Sequence, residues 1–573
     1  MDKTTRANVD SWLNGTFDEA SKKEVRRLEK DEPQELINAF YQQLEFGTGG
    51  LRGVMGVGTN RLNPYTVRAA TQGLATYINS QTKKGSVLIG YDCRNHSREF
   101  AEEAAKVLAA NNIKVYLYKE LRPVPLVSFG VRYKKCTAGI MITASHNPPK
   151  YNGYKVYWDY GGQVLPPHDK GIIAEVGKVK EVKEGLMTSA LIEEIDGEVD
   201  AAYLKAIHSL QLHPGDNHSK GGALHVVYTP LHGAGITIVP HALASWGFSH
   251  VTLVKEQEKP DGNFPTVTSP NPEEEAALKI GIATLQKVKG DILIGTDPDT
   301  DRIGVVCMHK GAPQLFNGNE IACMATEHIC RSLKATHQMP PKAMFVKTIV
   351  TSELMKVIAE KNQASCLDVL TGFKYIGEKI TQWEEDHMHH FLFGGEESYG
   401  YLLGTHARDK DAVVSATLVA EMALQMKLQN KTLVDLLYEI YQTYGIFREK
   451  LLSLTFEGKE GADHITNMMC KLRESPPKTI DGVKVITLED YQSHLATHLK
   501  SGKKEAIILP KSNVVRLWLE DGTKIIVRPS GTEPKIKLYC GVHDPHHSHL
   551  DEGIKKCDAR LDSILQSIKK IIS

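Results

Sequence analysis

Several common signatures are missing from this sequence of 573 residues, and each absence excludes a class of protein. The nine cysteines are scattered without a C-x-x-C pair, which argues against a disulfide framework or a thiolate zinc site and favours a reducing compartment. No apolar run approaches the ~20 residues that span a bilayer, and the start MDKTTRANVDSWLNG has no apolar signal core. We therefore expect a cytoplasmic protein without a membrane partner.

Charge of either sign is not in excess, because Lys plus Arg and Asp plus Glu both number 69. This balance gives no global electrostatic case for nucleic acid or acidic lipid, so any phosphate binding must come from local clusters. Two catalytic signatures are also missing, the G-x-S-x-G elbow of α/β-hydrolases and the GxxxxGK[ST] loop of P-loop kinases. A serine hydrolase and a P-loop kinase are therefore disfavoured.

The chain does contain a repeated alternation of short β-branched runs and alanine- and glutamate-rich helical stretches. SVLIGYD, SREFAEEAAKVLAANN and KVYLYKE follow one another, and LHVVYTP, HVTLVKE and DILIGTD repeat the rhythm. Such βαβ order predicts largely parallel sheets. Towards the C-terminus EAIILP, VVRLWLED, KIIVRPSG and KIKLYCGV are closely spaced, which predicts an antiparallel sheet before a terminal helix.

The length is too great for one hydrophobic core, so the chain is expected to form several domains. We predict an α/β architecture with three related α/β domains and a smaller α+β domain at the C-terminus. A helical block is expected at about 411–444, before the last domain. The predicted domains are residues 1–210, which begin with amphipathic helices, and then 211–320, 321–450 and 451–573.

The first candidate site is the stretch TASHNPPKYNGYK, in which Ser145 and His146 follow the apolar run AGIMI. Ligands of open α/β sheets gather at the carboxyl ends of strands, which is where Ser145 is predicted to lie. Neighbouring side chains of an extended segment point to opposite sides, so we expect His146 to be poorly placed to deprotonate Ser145. The alternative is a proline-rich turn with a capping serine.

The second candidate site is GTDPDTDRIG, where Asp297, Asp299 and Asp301 alternate after the strand DILI. This spacing is expected to bring three carboxylates to one side of the loop. Clustered oxygen ligands suit a hard cation such as Mg²⁺. Arg302 adds a cation beside the cluster, and the alternative is a solvated acidic turn.

The third and fourth candidates are polar loops. In FGGEESYG, Glu396, Glu397 and Ser398 suit sugar hydroxyls or acid–base work, with a solvated loop as the alternative. The loop VRPSGTEPKIK has the composition of an anion cradle, with a hairpin turn as the alternative. Taken together, the four stretches predict phosphoryl transfer through a serine on a hydroxylated phosphate ester. The residues of the predicted cradle are Arg528, Ser530, Gly531, Thr532 and Lys535.

In this order, the four stretches resemble the α-D-phosphohexomutase family, from FGTGGLRG to KIKLYC. The resemblance implies four domains around a central cleft, three α/β with mixed sheets and one α+β. It also implies a phosphoserine at Ser145, whose phosphoryl oxygen completes a Mg²⁺ site with the three aspartates. Glucose 1,6-bisphosphate is implied as activator and intermediate, and domain closure is implied to exclude water.

Further residues take their expected roles from the same resemblance. Arg52 of GGLRG matches the arginine beside the phosphoserine, Lys155 matches the acid–base lysine, and His146 accompanies the serine. GEES matches the sugar-binding loop, with Glu396 and Ser398, and RPSGTEPK matches the loop that holds the distal phosphate. The other implied substrate contacts are Arg302, Gly372 and Lys410, and Lys374 is implied as a further catalytic residue.

Some members of the family carry histidine at the end of the sugar loop, in a G-E-M-S-G-H pattern. Here the same place reads GEESYG, which is more similar to the glucose-preferring mutases. Lys374 in LTGFKYIG and Lys410 in THARDKDA match those enzymes as well. The expected reaction moves phosphate between C1 and C6 of glucose phosphate.

Phosphopentomutase or phosphomannomutase activity, a bisphosphate synthase and a non-catalytic binder are the alternatives. Lys155 and Lys374 are the expected general bases, and a lysine in that role needs its pKa lowered by burial and nearby cations. A small sugar phosphate is the expected partner, nucleic acid is not, and the chain is expected to be a monomer or homodimer. The histidine-rich stretches 386–390 and 543–553 are given little weight as metal sites because they lack a defined ligand set.

Overall fold

The computed structural model describes residues 1–47, 49–456, 458–530, 535–545 and 549–572. In these residues, no helix combines the length and apolar character needed to cross a membrane. The chain forms two compact units. The first comprises residues 1–317, 376–393 and 398–429. The second comprises residues 318–375, 394–397 and 430–573.

Three amphipathic helices open the chain, as the spacing of apolar residues predicts. They are α1 (Lys3–Asn14), α2 (Glu19–Asp31) and α3 (Pro33–Phe40). Asp2 and Asp18 cap the first two helices by accepting backbone N–H groups. A small core holds the three helices together, and its buried residues are Val9, Trp12, Val25, Leu28, Leu36, Ala39 and Phe40.

The first α/β region is built on a mixed six-stranded sheet. Its elements are β1 (Gly50–Val54), α4 (Pro64–Gln81), β2 (Ser86–Tyr91), α5 (Ser97–Ala110), β3 (Lys114–Tyr118), α6 (Val124–Tyr133), β4 (Ala138–Ile142), β5 (Tyr151–Trp158), α7 (His168–Val176) and β6 (Ile192–Ile195). The strand order is β1-β5-β4-β2-β3-β6. β2 is parallel to β3 and β4, whereas β5 is antiparallel to β1 and β4. The β4–β5 connection is therefore a hairpin, and it carries the predicted serine.

The second region has a five-stranded sheet in the order β11-β10-β9-β7-β8. Its elements are α8 (Gly197–His208), α9 (Pro214–Lys220), β7 (Val226–Thr229), α10 (Val239–Ser245), β8 (Val251–Leu253), α11 (Glu275–Lys287), β9 (Ile292–Thr296), β10 (Ile303–His309) and β11 (Ala312–Leu315). β7 is parallel to β8 and β9, but β9 and β10 are antiparallel. Their turn contains the three aspartates.

The third region combines a four-stranded sheet with long helices. Its elements are α12 (Gly318–Ala335), β12 (Ala343–Thr348), α13 (Glu353–Lys361), β13 (Ser365–Val369), α14 (Phe373–Asp386), β14 (His390–Glu396), β15 (Gly400–Leu403), α15 (Ala412–Lys427) and α16 (Leu433–Tyr444). β12 and β13 pair in parallel. The helical block predicted at about 411–444 is confirmed as α15 and α16.

The C-terminal region is an antiparallel sheet with two helices. Its elements are β16 (Ile446–Thr455), α17 (Gly458–Glu474), β17 (Thr479–Ile480), β18 (Val483–Asp490), β19 (Leu495–His498), β20 (Lys504–Ala506), β21 (Val515–Leu519), β22 (Lys524–Pro529), β23 (Lys535–Asp544) and α18 (Leu550–Ile572). The predicted antiparallel sheet and terminal helix are confirmed. The strand predicted for EAIILP is too long, because β20 ends at Ala506 and Ile508 is 99% exposed.

Candidate active site

Ser145 lies just after the carboxyl end of β4 and is almost fully buried. Its backbone is in the left-handed region with φ of 53°, which is uncommon for a residue with a side chain. The backbone N–H of Ser145 donates to Thr143 Oγ1 at 2.8 Å. The serine Oγ donates to Asp297 Oδ2 at 2.9 Å. The turn therefore directs the hydroxyl towards the loop between β9 and β10, residues 297–302. This loop contains the three aspartates and is called the acidic loop below.

The expectation that His146 points away from Ser145 is wrong. His146 Nδ1 lies 3.2 Å from Ser145 Oγ, within hydrogen-bond distance. The expectation assumed an extended segment, but the left-handed turn at Ser145 abolishes the alternation of side chains. Burial lowers the pKa of His146 well below 6.5, and the cations Arg302 and Arg52 lower it further, so the imidazole is neutral at pH 7.

The predicted convergence of Asp297, Asp299 and Asp301 is confirmed. One ligand oxygen from each residue lies within 4.8 Å of the others, and all three residues are buried. The loop is a turn rather than an extended stretch. The backbone N–H groups of Asp301 and Arg302 both donate to Asp297 Oδ1 at 3.0 Å, which fixes that carboxylate.

The triad fits a metal ion. Asp299 Oδ1 and Asp301 Oδ1 are buried and accept no hydrogen bond from the described residues, so each has lone pairs available for a ligand. Burial raises the pKa of Asp297, and repulsion from Asp299 and Asp301 raises it further. A donor set made only of carboxylate oxygens suits a hard divalent cation. The triad could therefore hold such an ion, and bound cation would relieve the repulsion.

Lys155 lies in β5, opposite Met141 of β4. Its Nζ donates to Asp299 Oδ2 at 2.9 Å and lies 3.5 Å from Asp301 Oδ2. Burial lowers the pKa of Lys155, but these two carboxylates outweigh burial, and the pKa lies above the usual 10.5. The expectation of a lowered lysine pKa is therefore wrong for Lys155, since it considered cations and not the adjacent acidic loop.

Lys410 reaches the same acidic loop from the segment before α15. Its Nζ lies 3.2 Å from Asp301 Oδ2 and 3.3 Å from Asp409 Oδ1. Asp409 also accepts a hydrogen bond from the Tyr157 hydroxyl at 2.9 Å. The lysine stem passes directly over Gly400, where a Cβ would lie 2.0 Å from Lys410 Cδ. Gly400 therefore leaves the space that the lysine occupies.

The two predicted arginines border this site. Arg52 donates from Nη1 to Asn147 Oδ1 at 3.4 Å. Asn147 belongs to the loop between β4 and β5, residues 143–150, which is called the serine loop below. Arg302 Nε lies 3.8 Å from Asp301 Oδ1, and its Nη1 pairs with Glu273. The first unit therefore brings together all the predicted residues of the serine and acidic loops.

Sequence analysis missed two residues of this cluster. Thr143 accepts the Ser145 N–H and donates to Asp299 Oδ2 at 3.1 Å, so it links the serine and acidic loops. Asp409 orients Lys410. Thr143 stands inside the motif TASHNP, which was a usable signal, whereas nothing near Asp409 indicates a partner about 250 residues away in sequence, the separation of the Tyr157 contact.

The sugar-loop residues Glu396 and Glu397 lie in the second unit. Glu396 Oε1 accepts the backbone N–H of Gly372 at 3.0 Å. The hydroxyls of Thr348 and Thr351 donate to Glu397 Oε2 at 3.2 and 3.3 Å. Both carboxylates are thus held in place by their own unit. Ser398 belongs to the first unit and is half-buried.

Three residues of the predicted phosphate cradle, Arg528, Ser530 and Lys535, lie in or next to β22 and β23 in the second unit. Ser530 donates its backbone N–H to the Lys535 carbonyl at 2.7 Å. Burial raises the pKa of Tyr539, Glu397 adds to the increase and Arg528 opposes it, so these groups are electrostatic neighbours. Lys374 is the second residue of α14, and its Nζ lies 5.3 Å from the Tyr375 ring centre. Two predicted cradle residues lie outside the described residues, namely Gly531 and Thr532.

Family models and curated relatives both match this chain. Models of the phosphoglucomutase/phosphomannomutase α/β/α domains I, II and III match residues 43–183, 201–311 and 317–444. A phosphoglucomutase of Staphylococcus aureus strain USA300 is 40% identical over 535 residues, covering 92% of this chain and 94% of the relative. The chain belongs to the phosphoglucomutase/phosphomannomutase family. The resemblance and the fold class inferred from sequence are thereby confirmed.

Solved structures of this mutase family share the fold. The open form of the Paramecium phosphoprotein pp63/parafusin, a phosphoglucomutase, superposes with a TM-score of 0.70 at 17% identity, covering 92% of this chain and 95% of that one. A phosphoglucomutase/phosphomannomutase family protein of Burkholderia thailandensis gives a TM-score of 0.68 at 18% identity, covering 93% and 98%. At such identities these structures support the fold alone.

Proposed function

We propose that Ser145 carries a phosphoryl group between C1 and C6 of glucose phosphate. The observation that supports this most directly is the position of Ser145 Oγ, 2.9 Å from Asp297 Oδ2 in a buried carboxylate triad. As a member of the mutase family, the protein is an isomerase that interconverts hexose phosphates. The phosphoserine route is the mechanism proposed for that interconversion.

In the first half-reaction, the phosphoryl group on Ser145 passes to the free hydroxyl of a sugar monophosphate. The Oγ–P bond breaks, a bond from phosphorus to the sugar oxygen forms, and the hydroxyl loses its proton. The bisphosphorylated sugar then turns over and returns its other phosphoryl group to Ser145. Such transfers depend mainly on positioning and on stabilisation of charge. Mg²⁺ on the three aspartates would offset negative charge on the transferring oxygens.

We assign the proton-donating step to Lys155. Its raised pKa keeps the ammonium group charged at rest, so it can supply the proton that Ser145 Oγ needs when the phosphoryl group leaves. His146, which is neutral and 3.2 Å from the same oxygen, orients the hydroxyl. Lys374 is the proposed base for the attacking sugar hydroxyl, and Lys410 and Arg302 are proposed to contact the substrate.

The phosphate that is not transferred is proposed to bind the cradle at the end of β22. Arginine forks and backbone N–H groups are suited to phosphate oxygens. Glu396, Ser398 and Gly372 are the proposed sugar contacts. The same cradle must accept the sugar in two orientations, so we expect few hydroxyl contacts that fit one orientation only. The proposed cradle residues are Arg528, Ser530, Gly531, Thr532 and Lys535.

Glucose is proposed as the preferred sugar, since the curated relatives are phosphoglucomutases and GEESYG lacks the sugar-loop histidine. Glucose 1,6-bisphosphate is the proposed activator and intermediate, acting on a monomer or homodimer. Relative kcat/KM on glucose, mannose and ribose 1-phosphates measures this preference. A higher kcat/KM on either of the other two sugars would contradict glucose preference while leaving the phosphoserine route intact.

Ser145→Ala tests the phosphoserine route. Without the hydroxyl there is no carrier, so we expect mutase turnover to fall below detection and no phosphate to appear on the protein after incubation with glucose 1,6-bisphosphate. Coupled assay and intact mass measure the two effects. Ser209→Ala, at an exposed serine of the same unit, is the control and should behave as wild type. Substantial turnover by Ser145→Ala would refute the proposal.

A further inference from the structure

The serine loop is wrapped around one buried guanidinium group, that of Arg94. Its Nη1 donates to the carbonyls of Pro148 and Tyr151 at 3.1 and 3.0 Å. Its Nη2 donates to the carbonyl of Ser145 at 2.6 Å and to that of Asn147. Four carbonyls between residues 145 and 151 therefore converge on a single side chain that is 3% exposed.

Arg94 is itself fixed from two sides. Asp92 Oδ1 accepts the backbone N–H of Arg94 at 2.9 Å, and Asp92 Oδ2 lies 3.4 Å from the guanidinium Nε. The ring of Phe264 covers the guanidinium at 5.0 Å from its centre, a geometry that favours a cation. The fork is therefore held in one place before any substrate binds.

A fixed fork has a consequence for the nucleophile because Ser145 occupies the left-handed region. That conformation is unfavourable for a residue with a side chain, and surrounding bonds must maintain it. The carbonyl of Ser145 is held by Arg94, while its N–H is held by Thr143. These two hydrogen bonds fix the backbone on both sides of the Ser145 Cα and leave Oγ directed at Asp297.

We infer that Arg94 is a positioning residue that sets the direction of the Ser145 oxygen for phosphoryl transfer. The inference rests on the phosphoserine function proposed above and goes beyond it by assigning the group that orients the carrier. Arg94 acts through the backbone, because its guanidinium donates to four backbone carbonyls between residues 145 and 151. Its loss should therefore lower the rate of transfer rather than the affinity for the sugar phosphate.

Arg94→Lys is the informative variant because lysine keeps the positive charge but has no planar fork for four carbonyls. Arg122→Lys is the matched control, since Arg122 is also buried in the first α/β region and pairs with Asp200 at 2.9 Å, away from the serine loop. For each protein we measure the rate of Ser145 phosphorylation by glucose 1,6-bisphosphate by intact mass. We also measure kcat and KM for glucose 1-phosphate and the thermal midpoint.

For Arg94→Lys we expect the phosphorylation rate and kcat to fall ~10-fold or more, because small misplacements of reacting groups have effects of this size. KM should stay within about twofold of wild type, since the sugar contacts are intact. The Arg122 control should lose comparable thermal stability and keep its phosphorylation rate. This split distinguishes positioning from general destabilisation.

The inference is overturned if Arg94→Lys phosphorylates Ser145 at the wild-type rate, or if the Arg122 control slows equally. Should Arg94→Lys fail to fold, Phe264→Leu takes its place, because it removes only the ring that covers the guanidinium. That variant should slow phosphorylation severalfold at constant KM, and an unchanged rate would overturn the inference. If Ser145 of the wild-type protein accepts no phosphate, that result contradicts the proposed phosphoserine function itself, independently of the role of Arg94.

Discussion

Asp301 holds two lysines with one oxygen. Lys155 and Lys410 approach Asp301 Oδ2 at 3.5 and 3.2 Å from different segments of the chain. Two ammonium groups this close repel each other, and the shared carboxylate offsets that repulsion. A small displacement of the acidic loop would therefore change the positions of both ammonium groups. Lys410 can reach Asp301 because Gly400 has no side chain in its path.

Gly400→Ala should reduce turnover strongly. The new Cβ would lie 2.0 Å from Lys410 Cδ, so the lysine must leave its path and its contact with Asp301. We expect kcat to fall about 10-fold or more, in line with misplacement of a site group. Steady-state kinetics measures this. Gly197→Ala is the control and should retain wild-type kcat, because no atom of the described residues beyond its chain neighbours and its own helix backbone lies within 4 Å of the new Cβ.

The principal groups of the site could be predicted from sequence, because Ser145 and the three aspartates directly follow recognisable strands. The position of His146 could not, since it depends on one left-handed residue that no motif marks. The raised pKa of Lys155 could not be predicted either, because its cause lies in a loop about 150 residues away. The order of strands and site motifs along the chain could be predicted from sequence, whereas contacts between distant loops could be identified only from the structure.

At the scale of elements, a buried ion network joins β22, β12 and α13 within the second unit. Lys524 Nζ donates to Glu353 Oε1 at 2.8 Å and to the carbonyls of Ile349 and Thr351 at 3.1 and 2.7 Å. Lys347 Nζ donates to the same Glu353 oxygen at 3.0 Å. This network ties the strand that leads to Arg528 to the turn that supports Glu397.

Lys524→Met should destabilise the second unit by about 3 kcal/mol, because it removes a buried donor from the carbonyls of Ile349 and Thr351 and one cation from Glu353. Urea unfolding measures the change. Lys450→Met is the control, since Lys450 pairs with Asp562 where both side chains are about half exposed, and such pairs contribute less than about 1 kcal/mol. Equal losses in the two variants would contradict the importance of burial.

The same network predicts sensitivity to acid. Burial raises the pKa of Glu353, but Lys524 and Lys347 outweigh it and hold the pKa below the usual 4.5. The folded protein therefore resists protonation that the unfolded chain accepts, and the free energy of unfolding falls as pH drops below 4.5. Urea unfolding across this range measures the slope, which Glu353→Gln should reduce. An unchanged slope in that variant would contradict the assignment.

Prediction of elements from sequence succeeded where hydrophobic pattern and turn residues agree, as in the βαβ units and the β21–β22 hairpin. It failed at EAIILP, where residues 506–509 are all apolar but only Glu505 and Ala506 pair with β19. Edge pairing depends on the partner strand, and that partner is not encoded locally.

At the scale of the whole molecule, the acidic triad links metal binding to folding. A ligand that binds only the folded chain stabilises it by an amount that grows with ligand concentration, about 2.7 kcal/mol at 100 times Kd. Three buried carboxylates exist together only in the folded protein. Metal binding and thermal stability should therefore rise together.

EDTA should abolish mutase activity and lower the thermal midpoint, and excess Mg²⁺ should restore both. Removal of the cation takes away the divalent charge that would offset the repulsion among Asp297, Asp299 and Asp301. Calorimetry and the coupled assay measure the two effects. Asp299→Asn should remove the response of the midpoint to Mg²⁺. A midpoint that responds to Mg²⁺ equally in this variant would contradict the assignment of the triad.

The path of Lys410 over Gly400 restricts which residue can stand at position 400 of the sugar loop. In the pattern G-E-M-S-G-H, histidine stands at the place of Gly400. A histidine here would collide with the lysine stem, since even a methyl carbon lies 2.0 Å from it. In this chain, a histidine at position 400 would therefore require Lys410 to leave its contact with Asp301, so the residues at positions 400 and 410 depend on each other.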